Sequence, residues 1–220
     1  MVALTNKATR ISSFLLSGLL CFSLALEAVQ LGKRAAKDYI PILENPDRVE
    51  RLKPDRVLEL LNLKHGDVVA DVGSGSGVFT RRFAQAVGPE GKVYAVDIDK
   101  ELLRYNRERI EEAGLKNVEF ILGEYDDPKL PSRAVDLAFI CDVLHHIEHR
   151  QVYLTNLHSC LKEKGRLAII DYKTNWPPGH ESMAFSVKDL AGWTQKAGFR
   201  KTGEFDLIAD AFFMIFELGK

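Results

Sequence analysis

Apolar and polar positions change their period several times along the chain. Val68-Val69-Ala70 is a short apolar run that ends at Asp71. From Val78 to Val87 the apolar residues fall at 78, 79, 83, 86 and 87, which is helical spacing. Val93-Tyr94-Ala95-Val96 is a second short run, ending at Asp97. Leu102–Ala113 reads as a helix closed by Gly114, a residue type free to adopt the left-handed turn that ends helices. Runs at 118–122 and 135–141 predict a third and a fourth strand, Val152–Leu161 a helix, and Leu167–Ile170 a fifth strand. Val187–Ala197 is helical and stops at Gly198; Phe199–Phe205 and Ala211–Leu218 then predict two strands with a turn between them.

Short continuous apolar strands that alternate with helices predict a parallel sheet covered on both faces. The last two strands have no helix between them, so they are expected to pair as an antiparallel hairpin at the C-terminal edge. The expected fold is α/β: a three-layer sandwich on a seven-stranded, mostly parallel sheet spanning residues 67–220. Residues 32–66 are expected to form a linker, over 32–46, and then a helix capped by Asn45 or Asp47 and interrupted by Pro54. Residues 1–31 stand apart. Lys7 and Arg10 precede Ile11–Leu26, a run without charge, and the first acid is Glu27. A basic start followed by an apolar stretch predicts a leader or membrane anchor, offering membrane association through residues 11–31.

Composition narrows the classes. With 46% hydrophobic and 28% charged residues the chain is ordinary globular protein, which excludes disordered, collagen-like and coiled-coil classes. Thirty basic residues against 31 acidic ones leave no basic footprint for nucleic acid. Cys21, Cys141 and Cys160 are too scattered for a disulfide framework or a thiolate zinc site.

In wound α/β sheets ligands bind at the carboxyl ends of the strands, so the residues after each strand carry the candidate chemistry. Asp71-Val72-Gly73-Ser74-Gly75-Ser76-Gly77 follows the first strand. Its three glycines let backbone approach a ligand closely. The dinucleotide fingerprint would need a glycine at 78, where Val stands, and a phosphate loop would need Gly-Lys-Ser/Thr. Asp97, at the end of the second strand, lies where its carboxylate accepts both hydroxyls of a ribose; Asp99 is free to cap the next helix. After the third strand, Glu124 and Asp126 are both candidates to accept an adenine amine. After the fourth come Cys141 and Asp142, facing an amino-acid moiety, and then His145 and His146, where an acceptor would approach. His145, His146 and His149 form an H-H-x-x-H run, but no H-E-x-x-H zinc motif is present and no metal site is expected.

These segments together (VVADVGSGSGVFT at 68–80, VYAVDID at 93–99, ILGEYDDPKLP at 121–131, VDLAFICDVLHHI at 135–147 and LKEKGRLAIIDYK at 161–173) resemble the class I S-adenosylmethionine-dependent methyltransferases. Within that class they are similar to small bacterial proteins of methyltransferase type 11. The resemblance implies a Rossmann-like fold, S-adenosylmethionine as cofactor, and roles for individual residues. Gly73, Ser74, Gly75 and Gly77 would approach the methionine part and the ribose, with Asp71 ordering that loop. Asp97 would hold the ribose diol, Ile98 would pack on the adenine, and Glu124 or Asp126 would take its amine. The Cys141 carbonyl and Asp142 would lie at the methionine end. A methyl on a sulfonium is already activated, so the protein's task is to orient the acceptor and exclude water. An acceptor hydroxyl benefits from a base, for which His145 and His146 are the candidates; the alternative is that one of them caps or packs under the following helix. His180 and Trp176, in the Pro-rich stretch after the fifth strand, fall in the region that closes over the acceptor. No arsenite-type thiol cluster and no Asn/Asp-Pro-Pro-Tyr/Phe motif is present, so the expected acceptor is a small or lipid-like molecule. The alternative is a cofactor-binding scaffold on the same fold. The N-terminal segment predicts a membrane-associated or exported protein; because the cofactor is made in the cytosol, the methyltransferase domain is expected where it is available, at the cytosolic face.

Overall fold

Successive residues of a strand point to opposite faces of the sheet, so a strand buried on both faces must be apolar at every position. A computed structural model describes residues 35–219 and shows where the runs go. The strands are β1 (Val68–Val72), β2 (Lys92–Asp97), β3 (Val118–Leu122), β4 (Val135–Cys141), β5 (Leu161–Tyr172), β6 (Phe199–Phe205) and β7 (Ala211–Leu218). They form one sheet in the order β3-β2-β1-β4-β5-β7-β6. β1 to β5 pair in parallel, while β7 runs antiparallel to both β5 and β6.

The helices are α1 (Ala36–Leu43), α2 (Pro46–Leu52), α3 (Pro54–Leu61), α4 (Val78–Val87), α5 (Lys100–Glu112), α6 (Arg150–Cys160) and α7 (Val187–Lys196). One face of the sheet buries Val57 and Leu61 of α3 and Phe79 and Phe83 of α4 against Val69, Leu137 and Phe139. The Phe139 ring lies 4.7 Å from that of Phe79 and 5.1 Å from that of Phe83; each such pair adds about 0.5–1.5 kcal/mol beyond burial. The other face buries Leu154 and Leu157 of α6 and Leu190 of α7 against Ala138, Ile140 and Ile169. Neighbouring residues of β4 thus feed opposite cores, as a doubly covered parallel sheet requires.

Three expectations are corrected. The stretch read as a linker contains α1, and Pro54 does not interrupt a helix but begins one. Lys53 takes a left-handed conformation, φ 48°, between α2 and α3, and Pro54 occupies the first turn, where its missing N–H costs nothing. The Asn45 side chain caps α2, accepting from the Asp47 N–H at 2.8 Å. β5 also begins at Leu161 rather than Leu167, across a shift in its register with β4 between Val135 and Leu137. The expected leader at 1–31 lies outside the described residues. Among the described residues no helix is long and apolar enough to cross a membrane.

The order reverses at β1, which has β2 on one side and β4 on the other. A crevice opens at such a switch point, and the glycine loop between β1 and α4 fills its floor. The Gly73 and Ser74 N–H groups both donate to the Val96 carbonyl, at 2.8 and 2.9 Å, which ties the loop to the exit of β2. Gly73 has φ +71°, and a Cβ there would lie 2.4 Å from Val143 Cγ2 at the exit of β4. Gly77, at φ +87°, leaves no room either: a Cβ would stand 2.0 Å from Asn106 Oδ1 of α5.

Gly66 has a similar φ, +88°, but open space around it. Gly66→Ala is therefore expected to cost only the left-handed strain of about 1–2 kcal/mol. Gly77→Ala should lose roughly 1–3 kcal/mol more through overpacking. Urea unfolding of both variants measures the difference, and equal losses would show that Asn106 yields at no cost.

Candidate functional site

The loop turns back on itself so that the Gly75 N–H donates to Asp97 Oδ2 at 2.8 Å. Asp97 Oδ1 accepts from the Asp99 N–H at 2.9 Å, and Asp99 in turn caps α5 through the Glu101 and Leu102 N–H groups. Each Asp97 oxygen thereby keeps a lone pair for a further donor. Burial raises the Asp97 pKa, opposed by the bonds from Asp99 and Gly75. Asp71, on the neighbouring strand, is bonded not to the loop but to Thr80 of α4, whose Oγ1 donates to it at 2.6 Å. Thr80 is held in turn by Asn106 Nδ2 at 3.1 Å. Burial pushes the Asp71 carboxyl up to about 7, against the pull of the Thr80 bond.

A cavity of about 440 Å³ opens over this edge. Gly73, Gly75, Asp97, Ile98, Glu124, Cys141 and Asp142 all line it, as do Leu122 and Tyr125 at its rim. Asp126 does not; its carbonyl instead accepts from Asn156 at 2.8 Å, so of the two acids after β3 only Glu124 reaches the cavity. Ser74 and Gly77 shape the loop from beneath without lining the cavity. Cys141 is half-buried, and desolvation drives its thiol pKa upward, which disfavours the reactive thiolate.

Asp142 stands at the exit of β4 with φ 54°, a left-handed position unusual for a side chain. Its Oδ2 accepts from Arg48 at 3.0 Å and Arg51 at 2.9 Å, both from α2. Arg51 also reaches Asp210 and the Tyr172 hydroxyl, each at 3.0 Å. The Asp142 Oδ1 atom is buried and has no partner among the described residues. Arg48 and Arg51 were missed in the sequence. Their i, i+3 spacing puts two cations on one helix face, but nothing local tells where that face lands.

A second, more open cavity lies beyond Asp142. It shares Tyr39, Leu43, Arg48, Asp142 and His146 with the first. Its own walls include His145, Tyr172 and His180. His145 is buried; its Nδ1 lies 2.7 Å from Asp171 Oδ1, and its backbone N–H donates to Asp171 Oδ2 at 3.1 Å. Asp171 Oδ1 also takes the Tyr172 N–H at 2.8 Å, so the carboxylate acts as an acceptor throughout. The ring then donates from Nδ1 and turns a lone pair at Nε2 outward, toward His180 Nδ1 at 3.2 Å. Burial, with help from His145 and His180, pushes the His146 pKa down to about 3, so this ring is neutral at pH 7 and a weak base. Trp176 is packed edge-on against His145 and Phe185 and does not line this cavity.

The methyltransferase domain family matches residues 63–203. The ubiquinone/menaquinone biosynthesis C-methyltransferase UbiE of Ectopseudomonas mendocina is 30% identical over 149 residues, covering 66% of this chain and 58% of that protein. The chain thus spans less than two thirds of the length of that relative. A crystal structure of an S-adenosylmethionine-dependent methyltransferase from Aquifex aeolicus is 30% identical and superposes with a TM-score of 0.76, over 84% of this chain and all of that one. The 1,6-didemethyltoxoflavin N1-methyltransferase of Burkholderia thailandensis, crystallised with 1,6-didemethyltoxoflavin and S-adenosylhomocysteine, shares the fold at 18% identity. Its TM-score is 0.64, over 84% of this chain and 87% of that one.

A buried carboxyl whose folded pKa is raised binds a proton that the unfolded chain has already lost. Its contribution to stability therefore falls as pH rises from about 4 to about 7. Asp71→Asn removes this titration and should gain on the wild type, on the order of 3 kcal/mol, across that window. Urea unfolding at pH 4.5 and 8 checks the trend; a stability difference independent of pH would show that Asp71 titrates normally.

Proposed function

The chain belongs to the class I S-adenosylmethionine-dependent methyltransferases, and on that premise we propose that its acceptor is a small or lipid-like molecule seated in the histidine-lined cavity. The observation that carries this reading is the shared wall. The glycine-floored cavity and the histidine-lined cavity meet at Arg48, Asp142 and His146, so a donor in one faces an acceptor in the other.

When bound, S-adenosylmethionine supplies a methyl group already activated on sulfur. The residues present fit that cofactor. The unpartnered Asp142 Oδ1 offers an acceptor for the ammonium of its methionine part. The spare lone pairs of Asp97 suit the ribose diol. Ile98 offers an apolar face for the adenine, and Glu124 an acceptor for its amine. Gly73 and Gly75 let the backbone approach. α1 and α2 roof both cavities, so Tyr39, Leu43 and Arg48 exclude water from the contact between them. On the acceptor side, His145 is aimed by Asp171 and presents Nε2 as the lone pair that lowers the acceptor's hold on its proton. Ile42, Pro177 and Pro178 give the acceptor cavity apolar walls, which favours an acceptor with a hydrophobic part. The role of the UbiE relatives, ubiquinone and menaquinone biosynthesis, is of that kind. Residues 11–31, as a membrane anchor, would hold the domain at the cytosolic face, near both the cofactor and a lipid-like acceptor.

Calorimetry with S-adenosylhomocysteine tests the assignment. Asp97→Ala should weaken binding by tenfold or more and Glu124→Ala by several-fold, while Asp126→Ala should leave it unchanged. Undiminished affinity in Asp97→Ala would remove that carboxylate from the site. Transfer of labelled methyl from S-adenosylmethionine into a lipid extract of cells should be seen with the wild type; incorporation confined to protein or nucleic acid would overturn the acceptor class.

A further inference from the structure

His145, His146 and His180 come from two separate segments, and the described fold brings one nitrogen of each to within 4.8 Å of the others. We propose that these three imidazoles hold a divalent transition-metal ion, zinc by preference, at the wall of the acceptor cavity. Of the H-H-x-x-H run, His149 is exposed and is not in the cluster. The third ligand is His180, 35 residues further along the chain.

Four observations carry the assignment. First, His145 Nε2 and His180 Nδ1 are 3.2 Å apart. A tetrahedral zinc with Zn–N bonds of about 2.0–2.1 Å sets its nitrogens roughly 3.4 Å apart, so a small adjustment admits the ion between them. Second, His145 already has the partner that metal-bound histidines use. Asp171, fully buried, takes the Nδ1–H at 2.7 Å and thereby fixes the tautomer whose Nε2 is a donor to a metal. Third, His146 Nδ1 is buried without a hydrogen-bond partner among the described residues, a state that a nearby cation or reoriented ring relieves. Fourth, all three rings line the second cavity, so the fourth coordination position opens toward the acceptor. Three neutral nitrogens with one open position is the donor set of a reactive rather than a structural zinc. Arg150 adds a positive charge nearby through its bonds to the Leu144, His145 and Met183 carbonyls, and the Asp171 carboxylate offsets it.

The ion deepens the proposed function by naming the acceptor's chemistry. An acceptor with an enol or phenol oxygen would coordinate at the open position and ionise there at neutral pH, as metal-bound water does. His145 Nε2 is then committed to the ion, whose charge lowers the acceptor's pKa, and the acceptor's proton passes to solvent.

The full chain, stripped with a chelator, is titrated with zinc against a chromophoric competitor and with cobalt(II) by visible absorption. One zinc per chain at micromolar affinity or tighter is expected, with the intense cobalt bands of a four-coordinate site. His180→Ala should weaken zinc at least tenfold and Asp171→Asn by about 10–100-fold, while His149→Ala should bind as the wild type does. Failure of the wild type to take up one zinc, or equal zinc affinity in His180→Ala and wild type, overturns the site. Calorimetry with S-adenosylhomocysteine on the same stripped protein keeps the two readings apart. Nucleotide binding without zinc binding overturns only the metal, and zinc binding without nucleotide binding overturns only the donor assignment.

Discussion

One backbone N–H, that of Gly75, joins the two halves of the binding edge by donating to the Asp97 carboxylate. For that bond to form, the loop leaving β1 must fold back toward the exit of β2 before α4 begins. The turn is tight enough that Gly73 and Gly77 adopt left-handed backbone in places where a Cβ would collide with Val143 or Asn106. The Val96 carbonyl holds the start of the loop and Asp97 its middle. The cost appears as two buried acids on adjacent strands, Asp71 and Asp97, both with raised pKa values. Local rules are broken here for a purpose, since binding edges are where a fold gives up stability.

The second constraint is the desolvated cluster around Asp142. Two arginines from α2 share one of its oxygens, and Arg51 extends the network to Tyr172 and Asp210. A buried ion pair gives little net stability, but removing one partner leaves an uncompensated charge. α1 and α2 are therefore held where they roof both cavities, and the stretch ahead of the sheet becomes part of the site. The same carboxylate lines both cavities and leaves its second oxygen unpartnered.

Much of this was legible in the chain. The boundaries of β3, β4, β6, β7 and α4 coincide with those the pattern of the chain predicts; for β4 and β7 the reason is that a strand buried on both faces has almost no polar position to blur its ends. The acids that close strands were visible as candidates for the same reason: a charge that ends an apolar run marks where the chain leaves the core. The start of β5 was hidden because Lys162, Glu163 and Lys164 lie within the strand, at its irregularity, while exposed or half-exposed, and so give no apolar signal. α1 sets Ala36, Tyr39, Ile40 and Leu43 on one half-buried face, but it is only eight residues long and holds Pro41, so the pattern is too short and too interrupted to stand out as a helix.

Order along the chain was enough for whatever one strand or one turn settles alone: the alternation of elements, the glycine bend, and the carboxylate that ends the second strand. These depend on which side chains sit within a few residues of one another. The selection of Glu124 over Asp126, the reach of Arg48 and Arg51 to Asp142, and the meeting of His145 with His180 emerged only once the sheet was assembled. Each joins groups that are near in space through the path of the whole fold, or turns on the direction a loop takes after it leaves its strand. Neither is set by neighbours in the chain; packing of the complete sheet and its covering helices sets both.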